Sequence, residues 1–142
     1  MPAFRAIMDT NVLLSALWSR QGAAFQILQA LRRGEWVPVL SNHLLTEYEE
    51  VCKRHAGDIG LSIQDIDDVL DAICAVAEEH GLLPGWVPVL RDPDDEPIVQ
   101  LAVEASVPRI VTHNIRHLKP AASFGINVLT PAEFLARLRS KP

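Results

Sequence analysis

Carboxylates stand at several places along the chain in company that suits a hard cation. Asp9 follows the apolar pair Ile7-Met8 and precedes Thr10-Asn11, and Glu47 comes shortly after Ser41. Asp92, Asp94 and Asp95 crowd around Pro93, and Thr112 lies close before Asn114. Acids as close as Asp92 to Asp95 repel one another, and a bound cation offsets that repulsion better than the positive end of a helix does. Cys and His are sparse, so the donors are read as oxygen alone; such a set suits Mg²⁺ or Mn²⁺, and zinc is not expected. A hard metal held on carboxylates and open to substrate activates water and stabilises charge on an attacked phosphate. Phosphodiester cleavage is the chemistry these residues would support.

The elements around them must bring the acids together. Residues 4–8 read as an apolar strand ending at Asp9, and residues 11–17 as the helix that follows. A second helix starts near Ala23 and stops at Gly34, a common residue just past a helix end. Residues 36–40 form a buried-strand candidate that Pro38 confines or interrupts. Ser41 or Asn42 caps the next helix, whose apolar stripe is Leu44, Leu45, Tyr48, Val51 and Cys52. A helix over 62–79 carries Ile63, Ile66, Val69, Leu70, Ile73 and Ala77 and ends at Gly81. Residues 86–90 read as a strand, and the Asp92 to Asp95 turn caps a helix bearing Ile98, Leu101, Ala102 and Ala105, with Pro97 in its first turn. Strands at 109–112 and 125–129 and a last helix from Thr130-Pro131 complete the chain. Apolar strands alternating with helices predict an α/β fold: a three-layer α/β/α domain with a central, mostly parallel sheet.

In such sheets ligands bind outside the carboxyl ends of the strands, which is where Asp9, the Ser41 to Glu47 segment, the Asp92 to Asp95 cluster and Thr112 with Asn114 converge. Each has a blander role. Asp9 can be a helix N-cap, as can one of Asp94 and Asp95. Both of these lie within a turn of Ile98 and can face inward. Glu47 and Glu49 lie on opposite flanks of the Tyr48 stripe and Glu50 points away from it, so periodicity leaves Glu47 and Glu49 both open. A single flank Glu is most often solvated.

A chain of 142 residues fits one domain, read as 1–142, with no repeat or linker. No uncharged apolar run approaches the roughly 20 residues of a membrane span, and the N-terminus lacks the pattern of a signal peptide. A cytoplasmic protein is expected, with Cys52 and Cys74 as buried thiols. A net charge of −5 excludes a broad basic surface that grips nucleic acid by charge alone. A polyanionic substrate would need a metal or a local cluster such as Arg32 with Arg33, or Arg116 with Lys119.

Four segments together resemble the PIN-domain family: Ile7-Met8-Asp9-Thr10-Asn11-Val12-Leu13-Leu14-Ser15-Ala16, Ser41 through Glu47, Asp92-Pro93-Asp94-Asp95 with Ile98 and Ala102, and Ile110-Val111-Thr112-His113-Asn114 with Leu118. The ending Val128-Leu129-Thr130-Pro131-Ala132-Glu133-Phe134-Leu135 is also similar to that family. The resemblance implies a Mg²⁺- or Mn²⁺-dependent ribonuclease, frequently the toxin of a bacterial or archaeal toxin–antitoxin pair and frequently a homodimer, so RNA, an antitoxin protein and a second copy are the implied partners. By position it makes Asp9, Glu47 and Asp95 the catalytic, metal-binding acids, with Thr112 a supporting hydroxyl; it selects Glu47 over Glu49 and Asp95 over Asp94. Many members carry a further carboxylate where this chain has Asn114 or His117. That departure implies one firmly held ion on Asp9 and Asp95, with Glu47 binding it directly or through water, and a second ion recruited only with substrate. Two alternatives are a degenerate PIN-like domain that binds RNA or protein without cutting, and a receiver-like phosphoacceptor, for which Thr112 and Lys119-Pro120 give a superficial fit.

Overall fold

The structure, a computed structural model, describes residues 4–140. Strand β1 (Arg5–Met8) runs into helix α1 (Thr10–Trp18), which Asp9 caps by accepting the Thr10 N–H. Helix α2 (Ala23–Arg32) ends in a Schellman turn: Gly34 adopts φ +77°, its N–H donates to Leu31 O, and the Glu35 N–H donates to Ala30 O. The turn delivers Trp36 into the core, where its indole N–H donates to Ile27 O and its ring meets Phe134 edge-on.

Strand β2 (Val37–Leu40) tolerates Pro38 for a reason that the ladder makes plain. The Val37 N–H donates to Phe4 O just ahead of β1, so the alternate position, Pro38, turns toward the side of β3 (Glu78–Glu79), where pairing begins only at Val39. Helix α3 (Asn42–Arg54) is capped by the Ser41 hydroxyl, which accepts the Leu44 N–H. A short α4 (Ala56–Ile59) leads to α5 (Ile63–Val76), opened by a capping box between Ser62 and Asp65.

The helix expected to reach residue 79 stops at Val76. Ala77 is extended and Glu78–Glu79 form β3, a two-residue parallel edge beside Val39 and Leu40. Arg5 decides this: its guanidinium grips the Glu78 carboxylate and donates to the carbonyls of Ala105 and Ser106, so the chain is drawn onto the sheet before Gly81 is reached.

The strand expected at 86–90 does not form either. Pro88 interrupts it, Val87 is 75% exposed, and the N–H groups of Val89 and Leu90, which a ladder would have used, donate instead to the Glu96 carboxylate. The acidic turn therefore follows an irregular strap rather than a strand end. A 3₁₀ turn (Pro93–Asp95) leads into α6 (Glu96–Glu104), then β4 (Arg109–Val111), α7 (Ile115–Leu118), a 3₁₀ segment (Lys119–Phe124), β5 (Asn127–Leu129) and α8 (Pro131–Ser140).

All strand pairs are parallel, in the order β3-β2-β1-β4-β5, and the helices sandwich the sheet in the α/β/α arrangement expected. Ala6, Ile7, Met8, Val39, Leu40, Ile110 and Val111 are buried, as in parallel sheets covered on both faces. Because every strand points the same way, Asp9, Ser41 and Thr112 emerge at one rim, and the register Met8↔Val111 sets Asp9 beside Thr112. Among the described residues no helix is long and apolar enough to cross a membrane.

Candidate metal centre

At that rim Asp9, Glu47 and Asp95 line one cleft together with Ser41, His43, Asp94 and Ile98. Its open volume of about 20 Å³ is of the size that holds one water-sized body. Asp9 arrives on the end of the central strand and is 9% exposed. Its Oδ1 accepts the Thr10 N–H at 2.8 Å and its Oδ2 accepts the Thr112 hydroxyl at 2.7 Å. Thr112, fully buried, also accepts the Asn114 N–H at 3.0 Å, so the loop after β4 is pinned to the carboxylate. Glu47 projects from α3, and the Thr10 hydroxyl donates to its Oε1. Asp95 enters from the N-terminal end of α6 with its side chain 21% exposed.

The charges in the cleft are not neutralised by these bonds. Burial pushes the Asp9 carboxyl above its ordinary range; the bonds from Thr112 and Thr10 oppose this, while Glu47 and Asp95 reinforce it. Asp95 is raised too, by burial first and then by Asp92, with His117 acting against them and Asp94 and Glu47 adding to them. Removing an acid from water beside other acids is costly, and a bound cation would offset part of that cost.

Of the expected residues, Asp9, Glu47 and Asp95 share the cleft and Thr112 supports Asp9. Asn114 is exposed and does not line it. The choice that periodicity left open falls geometrically to Glu47: Glu49 and Glu50 are exposed and pair with Lys53 and Arg54 along α3. The helix cap expected of Asp94 or Asp95 does not form: Asp95 holds the N-cap position of α6 without a side-chain cap bond, and it is Asp92 that caps the preceding 3₁₀ turn by accepting the Asp94 N–H. Among the described residues, no three Asp, Glu, His or Cys side chains converge closely enough to hold one ion as they stand. The donor set nevertheless fits a hard divalent cation in type, since the carboxylates of Asp9, Glu47, Asp94 and Asp95 line one small cleft and Oδ1 of Asp9 retains a lone pair beyond the Thr10 bond, while Oδ2 accepts both the Thr112 hydroxyl and, at 3.4 Å, the Asn11 amide.

Sequence reasoning missed several neighbours. Thr10 positions Glu47, although it stands in the motif next to Asp9. Tyr48, treated as part of an apolar stripe, donates its buried hydroxyl to Met8 O and so braces the backbone just before Asp9; the signal was that a buried phenol needs a partner. The oxygen-only reading also overlooked that His113 and His117 stand four apart. They do not act as a pair here: α7 begins only at Ile115, the ring of His113 meets the Ser15 hydroxyl at 2.8 Å, and Nδ1 of His117 lies 3.9 Å from Asp95 Oδ2.

Residues 5–116 match the model of a family described as PIN domain. This chain belongs to that family. No curated protein matches it. Among solved structures this PIN domain is similar to a chain of VapBC2 from Rickettsia felis, in a crystal structure bound to a DNA fragment from their promoter. The TM-score is 0.61 at 14% identity, covering 89% of this chain and 98% of that one, which makes it a likeness of fold. The sheet also separates this PIN domain from receiver-like proteins, whose doubly wound strand order is 2-1-3-4-5, whereas here it is 3-2-1-4-5, and Lys119-Pro120 precedes β5 rather than following it.

Proposed function

We propose that this PIN domain is a Mg²⁺- or Mn²⁺-dependent endoribonuclease that hydrolyses RNA phosphodiester bonds in the cytoplasm as the toxin of a toxin–antitoxin pair. The observation that carries the reading is the convergence of Asp9, Glu47 and Asp95 on one cleft, with two of the three held above their ordinary carboxyl range. RNA as substrate, an antitoxin as partner and a homodimer rest on the family resemblance.

Asp9, Glu47 and Asp95 would hold the ion. When bound, it supplies activation of the attacking water and stabilisation of the charge that grows on the phosphate. Thr112 and the Thr10 N–H fix the Asp9 carboxylate in one orientation before any ligand arrives, so little reorganisation is needed on binding. The Thr10 hydroxyl does the same for Glu47. Arg116 and Lys119 line a groove beyond α7 and offer phosphate contacts that the net negative chain otherwise lacks.

A second reading, a PIN domain that binds RNA or protein without cutting it, draws support from Asn114, a neutral residue outside the cleft where many relatives carry an acid. Purified protein should cleave a short RNA when Mn²⁺ is added and stop when the metal is chelated. Asp9→Asn, folded by circular dichroism, should be inactive. Binding of the RNA with no metal-dependent cleavage would favour the second reading; cleavage undiminished in the folded Asp9→Asn protein would remove Asp9 from the site.

A further inference from the structure

The two edges of the sheet differ in what they offer a passing chain. Strand β3 at one edge is two residues long and both are acids, Glu78 and Glu79, so charge guards it against pairing. Strand β5 at the other edge, Asn127–Leu129, carries no charge of its own. The Asn127 N–H donates to Pro108 O and Leu129 O accepts the Thr112 N–H, so both residues face β4 and the alternate residue, Val128, turns its N–H and C=O outward. Among the described residues neither group has a partner. Beside this edge runs an open groove of about 490 Å³, the size of a ligand cleft, with Ile115, Ala122 and Ile126 in its lining. Arg116 and Lys119 also line it, both exposed, and among the described residues neither side chain meets an acid.

We propose that the β5 edge docks an extended acidic peptide segment of a partner protein, which adds a strand by pairing with Val128 and sets its carboxylates against Arg116 and Lys119. The main-chain bonds fix the register, the apolar lining takes the side chains that alternate with the acids, and the two cations select the charge. Nucleic acid fits the groove less well, because its lining holds no aromatic side chain on which a base could stack. A second copy fits less well too, since two β5 edges paired about a two-fold axis would bring their Arg116 and Lys119 side chains together. The proposal does not depend on the metal-site reading. It bears on it all the same: a seated segment covers the two cations credited above with phosphate contacts, and so competes with RNA.

The test titrates a fluorescent synthetic peptide of about six residues, alternating Glu and Val, into the protein by anisotropy, with backbone amides followed by NMR. Wild type should bind it with a dissociation constant on the order of 100 µM, and the Val128 amide should gain protection from exchange. A Lys–Val peptide should not bind, and a Glu–Val peptide N-methylated along its backbone should bind about tenfold more weakly or worse. Val128→Pro removes an N–H that the fold does not use and should stay folded by circular dichroism while binding falls about tenfold. Arg116→Glu combined with Lys119→Glu should abolish binding. If Val128→Pro does not fold, the N-methylated peptide asks the same question of the intact protein. No binding of the Glu–Val peptide, or equal binding of its N-methylated form, overturns the proposal. Oligouridylate that shifts the Val128, Arg116 and Lys119 amides where the peptide does not would assign the groove to RNA. Sedimentation showing a wild-type dimer that Val128→Pro dissociates would assign it to a second copy. Either result overturns the proposal as well. Metal-dependent cleavage is measured without peptide, so the nuclease reading stands or falls separately.

Discussion

Asp95 and Glu96 are adjacent in the chain and sit at the same helix start, yet their surroundings treat charge in opposite ways. Glu96 is 7% exposed and accepts the Trp86 indole N–H and the backbone N–H groups of Val89 and Leu90. Burial pushes its carboxyl up, but those three donors more than compensate and hold it below the ordinary range. Asp95 is less buried and receives no such set; it faces Asp9, Asp94 and Glu47, and its carboxyl is raised. Glu96 organises the strap over 86–90, and Asp95 leaves its charge to be met from outside. Burial by itself does not set the direction in which a carboxyl shifts. Negative charge in excess of the donors around it does.

Exchanging each acid for its amide should pull the two roles apart. Asp95→Asn should lower metal-dependent cleavage on the order of a hundredfold or more, the scale of losing one positioned electrostatic group. Its metal-free stability should hold or rise, because repulsion is relieved. The sign follows from the raised carboxyl. The folded chain holds that proton to higher pH than the unfolded chain does, so wild type loses stability as pH climbs through the raised value, and the advantage of Asp95→Asn grows over that range. Glu96→Gln should behave conversely, costing about 1–3 kcal/mol in denaturant titrations while folded molecules cleave normally. Cleavage lost in both, or stability lost in both, would erase the distinction.

A smaller effect is expected at Thr112. Thr112→Val keeps the buried shape but removes the donor to Asp9 and the acceptor for the Asn114 N–H, and should weaken Mn²⁺ binding about tenfold by calorimetry. Unchanged affinity would mean that Thr112 supports the loop alone. The mildest changes should come on the outer side of α3. Glu49→Gln and Glu50→Gln break only surface ion pairs, which contribute little, and should cleave as wild type does, whereas Glu47→Gln should not. Equal, small losses in all three would return Glu47 to the solvated surface.

The sequence revealed those parts of the molecule whose cause is local. Alternating apolar runs and helical stripes disclosed the parallel sheet; Gly34 and Ser41 marked their helix ends; Asp9 and Thr112 stood directly after apolar strands. What was not legible depended on partners far along the chain. Residues 86–90 have a strand's composition, but Glu96 takes the N–H groups a strand would pair. Glu78 and Glu79 continue a helical pattern, but Arg5 claims Glu78 for the sheet edge. The support of Glu47 by Thr10 exists only because α1 packs beside α3, and no spacing rule contains that fact.

The wholly parallel sheet also bears on how the protein comes to exist. No strand pair here can be closed by a tight hairpin, and Thr112 reaches Asp9 across 103 residues of chain. Contacts of such long sequence separation exact their loop-closure entropy before they return any energy, which slows folding relative to helical or hairpin-rich chains of the same size. During synthesis β1 must therefore wait, its central place incomplete, until β4 has left the ribosome. Asp9, Glu47 and Asp95 are dispersed along the sequence, and they meet only once the strands and helices between them have packed.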